Sequence, residues 1–184
     1  MSRLPAPRDP AGPYRVALVC LGNICRSPMA DVVLSDRVAA AGLDVEVVSA
    51  GTGNWHVGGS MDARAAATLT GSGYDASRHE AQQVHRSWFE DCDLVLAMDT
   101  QNLADLAELR DGPGSSDDAA AAGGRPDDVR LRLFREFDPL ANGADRSVPD
   151  PYYGGDDGFE TVLAMVERTV EGLVGELVRL RTGG

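Results

Sequence analysis

Residues 20–27 read CLGNICRS, with a cysteine at one end, an arginine six positions later and a serine after it. An apolar run, YRVALVC over residues 14–20, leads into this stretch, and Pro28 stands where a helix would start. A strand that turns straight into a helix points several backbone N–H groups at one spot, and the helix N-terminus adds partial positive charge there. Such a cradle suits a dianionic phosphoryl group. Arg26 would grip two of its oxygens with a planar fork that lysine lacks. The same field would favour the thiolate of Cys20, the nucleophilic form of the side chain. Ser27 is placed to donate a hydrogen bond to that sulfur. Cys-x5-Arg is a weak pattern by itself, and a buried structural cysteine on a core strand is the plain alternative. The Gly22-Asn23 turn, Ser27 and Pro28 add the context that favours chemistry.

The elements that must carry this loop follow from periodicity. Residues 14–20 read as a short buried strand, and residues 44–50, 93–98 and 129–134 as three further strands. Helical stretches follow from Pro28 to Gly42, from Asp62 to Leu69 and from Thr100 to Leu109. The last helix is the clearest: Phe159, Val162, Leu163, Val166, Val170, Leu173, Val174 and Leu177 recur at steps of three and four. Alternating strands and helices imply an α/β fold, a parallel sheet with helices on both faces. Ligands bind such sheets beyond the C-terminal strand ends, which is where Cys20 falls. The chain of 184 residues suits a single domain. Residues 1–13, Pro-rich and without an apolar leader, read as a disordered tail before a domain over 14–184. The polar, low-complexity stretch at about 111–128 reads as a flexible surface insertion.

Composition narrows the function classes. The net charge is −12, which disfavours broad nucleic-acid binding. All 17 basic residues are arginine. Three cysteines form no disulfide framework and suit a reducing, cytoplasmic setting. With three histidines they make no metal-ligand spacing, and no cofactor is expected. No apolar run is long enough to span a membrane.

The segment VCLGNICRSPMA resembles the signature of the low-molecular-weight protein tyrosine phosphatases. SAGTGNWHVG at 49–58, LAMDTQNLADL at 96–106 and DPYYGG at 150–155 match in the same order, and the wording is most similar to actinobacterial members. The resemblance implies a three-layer domain with a four-stranded parallel sheet. It implies hydrolysis of phosphotyrosine through a cysteinyl-phosphate intermediate, with Cys20 as nucleophile, Arg26 as phosphate grip and Asp150 as general acid. From the residues alone Asp150-Pro151 is an ordinary turn; the resemblance gives it the role. Leu21, Gly22, Asn23, Ile24, Cys25 and Ser27 would form the phosphate loop, which would take inorganic phosphate or other oxyanions as well. Asn23, Ser49 and His79 match positions that shape that loop, and Asn23 tolerates the left-handed backbone it needs. Asp99 is expected to help position the acid loop, with Asn102 beside it.

Trp55, Tyr152 and Tyr153 are candidate walls for a flat aromatic substrate, with core aromatics as the alternative. Cys25 is placed either to protect Cys20 through a reversible disulfide or to fill space as a small buried residue. Phosphotyrosine-containing proteins are the expected partners, and a monomer the expected state. Three rivals remain. A phosphoarginine phosphatase of the same fold would carry threonine at the Ile24 position. An arsenate reductase would need a further pair of relay cysteines, and only Cys92 lies outside the loop. A non-catalytic phosphotyrosine-binding module would bind without turnover.

Overall fold

The computed structural model describes residues 4–112, 129–155 and 157–183. Four strands, β1 (Tyr14–Cys20), β2 (Val45–Gly51), β3 (Leu94–Ala97) and β4 (Leu131–Leu133), form one sheet in the order β2-β1-β3-β4. Every neighbouring pair is parallel, and Cys20 lies opposite Gly51 at the C-terminal edge. The expected α/β architecture is therefore present.

Alternation along β1 sorts the core into two layers, because successive side chains point to opposite faces. Val16 and Leu18 face α1 (Arg26–Ala40) and α5 (Asp157–Thr182), together with Leu94 and Leu96 of β3. Ala17 and Val19 face the other layer, where Val95, Ala97 and Leu106 of α4 (Thr100–Asp111) lie. Both layers are shut to water, which explains why β1 and β3 read as continuous apolar runs. Among the described residues there are two shorter α-helices besides, α2 (Ala63–Gly71) and α3 (Trp88–Asp91). The periodic residues of α5 are buried as their spacing requires, except Val174, which packs half-buried at the margin.

An electrostatic clamp fixes α5 to the segment after β4. Arg168 donates to Asp138 from Nε at 2.7 Å and from Nη2 at 2.8 Å, while Arg135 adds a bond at 3.2 Å. Burial alone would raise the Asp138 carboxyl, but the hydrogen bonds from Arg168 and from the Leu140 amide outweigh it and hold the group below its ordinary range.

Three expectations need correction. Residues 4–13 are not a loose tail but a strap along the N-terminal edge of the sheet. Leu4 is buried, and Tyr14 donates to the Pro5 carbonyl at 3.2 Å. The Arg8 guanidinium reaches the carbonyls of Cys92 at 3.0 Å and Phe89 at 2.6 Å, and its amide donates to Asp93. Asp93 is buried and also accepts from Arg15 N at 2.8 Å, so the strap satisfies a carboxylate that would otherwise be costly. The fourth strand is shorter than the stretch expected at 129–134, because Phe134–Phe137 coil into a buried 3-10 turn. Asp111 closes α4 and Gly112 caps it at φ 84°, so neither belongs to an insertion; the remainder of that stretch, 113–128, lies outside the described residues.

Candidate active site

The loop after β1 curls around the Cys20 sulfur. Ser27 Oγ lies 3.0 Å from Sγ, and the Asn23 amide donates to it at 3.3 Å. Ser27 already accepts from Asn23 Nδ2 at 2.9 Å, so its own proton is left for Cys20 or for the Ala50 carbonyl at 3.3 Å. Helix α1 starts directly after Cys25 without a side-chain cap. Its first amides, from Arg26 and Ser27, therefore face the loop, and Pro28 brings no donor to orphan.

Asn23 is the keystone of the curl. It holds φ 55°, the left-handed region expected of it, and it is fully buried. A net of hydrogen bonds fixes it there. Nδ2 also donates to Ser49 Oγ at 3.1 Å, Oδ1 accepts from Gln82 N at 3.0 Å, and its carbonyl lies 2.7 Å from His79 Nε2. A carbonyl only accepts, so His79 carries its proton on Nε2 in this contact. Ser49 and His79 thus both bond to Asn23 of the loop. Gln82 joins them through Oδ1 of Asn23 and through the Ser49 carbonyl at 3.0 Å, a role that sequence did not suggest. Gly51 lets β2 approach: a Cβ there would sit 2.6 Å from the Leu21 carbonyl oxygen.

Arg26 is 4% exposed and reaches three segments. Nη1 donates to Asp99 Oδ2 at 2.6 Å and to the Val148 carbonyl at 3.1 Å, while Nη2 stands 3.5 Å from Asp150 Oδ2. Asp99 therefore meets the arginine directly and the acid loop through it, by way of the Val148 carbonyl and Asp150. Its other oxygen caps α4 by accepting from Asn102 N at 2.7 Å. Asn102 is buried, with its amide placed to donate to the same carboxylate.

Asp150 faces the loop from the far side of the cleft. Its Oδ1 accepts from Tyr152 N at 3.1 Å, which pins the Asp-Pro turn. A second tie comes from Arg64, which sequence did not single out. Arg64 Nη2 donates to the Tyr152 carbonyl at 3.2 Å, and its guanidinium lies 4.7 Å from the Phe159 ring centre. Arg64 in turn forks onto Asp62, at 3.1 Å from Nε and 3.0 Å from Nη2. Those bonds hold the Asp62 carboxyl below its ordinary range. The Asp62 amide donates to the Ile24 carbonyl at 2.9 Å, so one pair braces both the phosphate loop and the acid turn.

The resulting cleft has a volume of about 380 Å³ and is walled by Leu21, Ile24, Trp55, His56, Tyr152 and Tyr153, with Cys20, Cys25, Arg26 and Asp150 inside. Trp55, Tyr152 and Tyr153 are 70%, 40% and 90% exposed, which decides against core aromatics. Tyr152 and Tyr153 meet edge to face at 4.9 Å. Every residue of the expected constellation is brought to this cleft or to its supporting net. His56 also lines it; it lay inside the 49–58 block without an assigned part. Cys20, Cys25 and Cys92 are free thiols. Burial pushes Cys25 up to about 12, with Asp62 adding to the rise, and Cys92 up to about 11.

Residues 15–182 match the family model described as low molecular weight phosphotyrosine protein phosphatase. The chain is 48% identical over 163 residues to the low molecular weight protein-tyrosine-phosphatase of Streptomyces coelicolor, covering 88% of this chain and 92% of that one. It is 40% identical to low molecular weight protein-tyrosine phosphatase A of Mycobacterium tuberculosis, covering 88% and 90%. Among solved structures, YfkJ from Bacillus subtilis superposes with a TM-score of 0.76 at 28% identity, covering 93% of this chain and 98% of the other. The chain belongs to the low molecular weight phosphotyrosine protein phosphatase family.

Proposed function

We propose that this protein is a protein-tyrosine phosphatase, a hydrolase that removes phosphate from tyrosine through a covalent intermediate on Cys20. The observation that carries the reading is one cleft holding three groups. The Cys20 sulfur accepts from the Asn23 amide and lies 3.0 Å from Ser27 Oγ, the Arg26 fork is pinned beside it, and Asp150 stands across the opening.

In the first half of the reaction the Cys20 thiolate attacks phosphorus in line. The bond from phosphorus to the tyrosyl oxygen breaks, and that oxygen takes a proton from Asp150. In the second half, water attacks the cysteinyl phosphate and gives its proton to the Asp150 carboxylate. The sulfur–phosphorus bond breaks, inorganic phosphate leaves, and the thiolate returns. Arg26 and the loop amides hold the equatorial oxygens in both steps. The Ser27 proton eases departure of the sulfur. Cys25, Leu21, Gly22 and Ile24 shape the loop, with Asn23, Ser49 and His79 holding it from behind.

The aromatic walls fit a phenyl ring and set a depth that shorter phosphoserine does not reach. Ile24, apolar and on the cleft wall, supports phosphotyrosine over phosphoarginine. Proteins carrying phosphotyrosine are the substrates, met by a monomer in the cytoplasm; the free thiols support that compartment. Among the described residues no helix is long and apolar enough to cross a membrane.

Turnover of p-nitrophenyl phosphate tests the proposal. Cys20→Ser should abolish it, and Asp150→Ala should leave a slow remnant. Full activity in Cys20→Ser would refute the nucleophile assignment, and phosphotyrosine binding without turnover in the wild type would make the protein a binding module.

A further inference from the structure

We propose that a second groove, joined to the catalytic cleft across Leu21 and Trp55, reads the residues flanking phosphotyrosine and selects an apolar side chain followed by a basic one. This rests on the phosphatase reading above. The groove has a volume of about 630 Å³ and runs from Leu21, Gly53 and Trp55 past Val84 and Arg86 to Asp105, Glu108 and Leu109 of α4. Leu21 and Trp55 also wall the catalytic cleft, so the two spaces adjoin along these residues. A chain whose phosphotyrosine lies over Cys20 must leave the cleft over its rim, and on this side it enters the groove.

The near end is apolar. The Trp55 ring rests directly on Gly53: a Cβ at that position would meet Cζ3 at 1.8 Å. The indole is thus held against backbone while 70% of the residue faces water. A fixed, exposed indole offers contact area with little rotamer freedom left to lose. Leu21, 43% exposed, extends this apolar end, and Leu109, 37% exposed, adds apolar surface on the α4 side.

The far end is acidic. Asp105, Glu108 and Leu109 stand at i, i+3 and i+4 on α4 and share one face. Asp105 accepts from Gln101 Nε2 at 2.8 Å, and neither it nor Glu108 forms an ion pair among the described residues. Among the described lining residues, two carboxylates against the single Arg86 favour a basic side chain on the arriving segment. The strand-like rise of about 3.3 Å per residue makes a groove of this size suit a few extended residues rather than a folded partner.

The test compares kcat/KM for phosphotyrosine peptides carrying Leu-Arg or Ser-Glu on either flank, with p-nitrophenyl phosphate as the control. The wild type should prefer Leu-Arg on one flank by about ten-fold, as burial of one aliphatic side chain implies. Joint Asp105→Arg and Glu108→Arg should reverse the charge part, a change of about three-fold that fades with salt. Leu109→Ser should weaken the apolar part. All these variants should keep wild-type turnover of p-nitrophenyl phosphate. Equal rates on all peptides with normal p-nitrophenyl phosphate turnover would overturn the groove and leave the phosphatase reading intact. An unchanged preference in the charge-reversed variant would also overturn it. A wild type that turns over neither kind of substrate would instead remove the phosphatase reading on which the groove depends.

Discussion

Asp99 Oδ2 lies 2.6 Å from Nη1 of Arg26, and the opposite oxygen of the same carboxylate caps α4. One side chain therefore starts a helix and aims the guanidinium. Asp99→Asn keeps a good cap but removes the charge. With Arg26 nearly buried, the variant should lose about 2 kcal/mol of stability, below the full cost of breaking a buried pair because Val148 and Asp150 remain. Its kcat/KM for aryl phosphates should fall at least about ten-fold through a looser phosphate grip. Urea titration and steady-state kinetics check both, and Asp99→Ala should lose about 1 kcal/mol more through the missing cap.

Arg64 touches neither sulfur nor the acid, and the Asp62 amide donates to the Ile24 carbonyl without it, so its effect should show mainly where the acid is needed. Arg64→Met keeps an apolar stem over Phe159 and removes the ties to Asp62 and the Tyr152 carbonyl. With phenyl phosphate, whose leaving group needs protonation, kcat/KM should drop by about ten-fold. With p-nitrophenyl phosphate the drop should stay under about three-fold, because that phenolate leaves with little help. Equal losses on the two substrates would show a general structural role instead.

Cys25 is held as a neutral thiol, pushed up to about 12. Iodoacetate at pH 7 should therefore label Cys20 and spare Cys25 and Cys92, with inactivation following a single adduct. Phosphate in the loop should slow that labelling. Mass spectrometry of partly inactivated protein reads the site, and early labelling at Cys25 would contradict the expectation.

The Asp138 clamp makes a prediction in pH. Its folded carboxyl lies below the unfolded value, so it stabilises above the unfolded value and the gain is lost as pH falls through the folded one. Asp138→Asn should be less stable than wild type at pH 7 by about 3 kcal/mol, as for a broken buried pair. The gap should narrow steadily below about pH 4, where the wild-type carboxylate protonates. Thermal melts across pH 2–7 would show the two curves converging; parallel curves would contradict it.

The loop from Cys20 to Ser27 was legible because its chemistry is local: strand end, turn, arginine and helix start follow one another directly. The long helix α5 was legible because one face of it is buried along its length. Asp99 was visible as a matching residue, yet its partner could not be read, since Arg26 lies far away in the chain and only the fold brings them together. Gln82 and Arg64 stayed hidden for the same reason. The strap over residues 4–13 was misread because its proline content suggests disorder, whereas its hold comes from long-range contacts, among them those of Leu4, Arg8 and Tyr14. The fourth strand was overextended because Phe134 is as buried in a 3-10 turn as it would be in a strand.

That strap sits beside Asp93, where β3 begins, while the cleft opens where β1 ends. In a parallel sheet these are opposite poles of the molecule. A tether or fluorophore fused ahead of Leu4 would emerge on the pole away from the cleft. Immobilised by that end, the enzyme would present its mouth to the bulk solution, and bulky phosphoproteins could approach it as freely as small aryl esters.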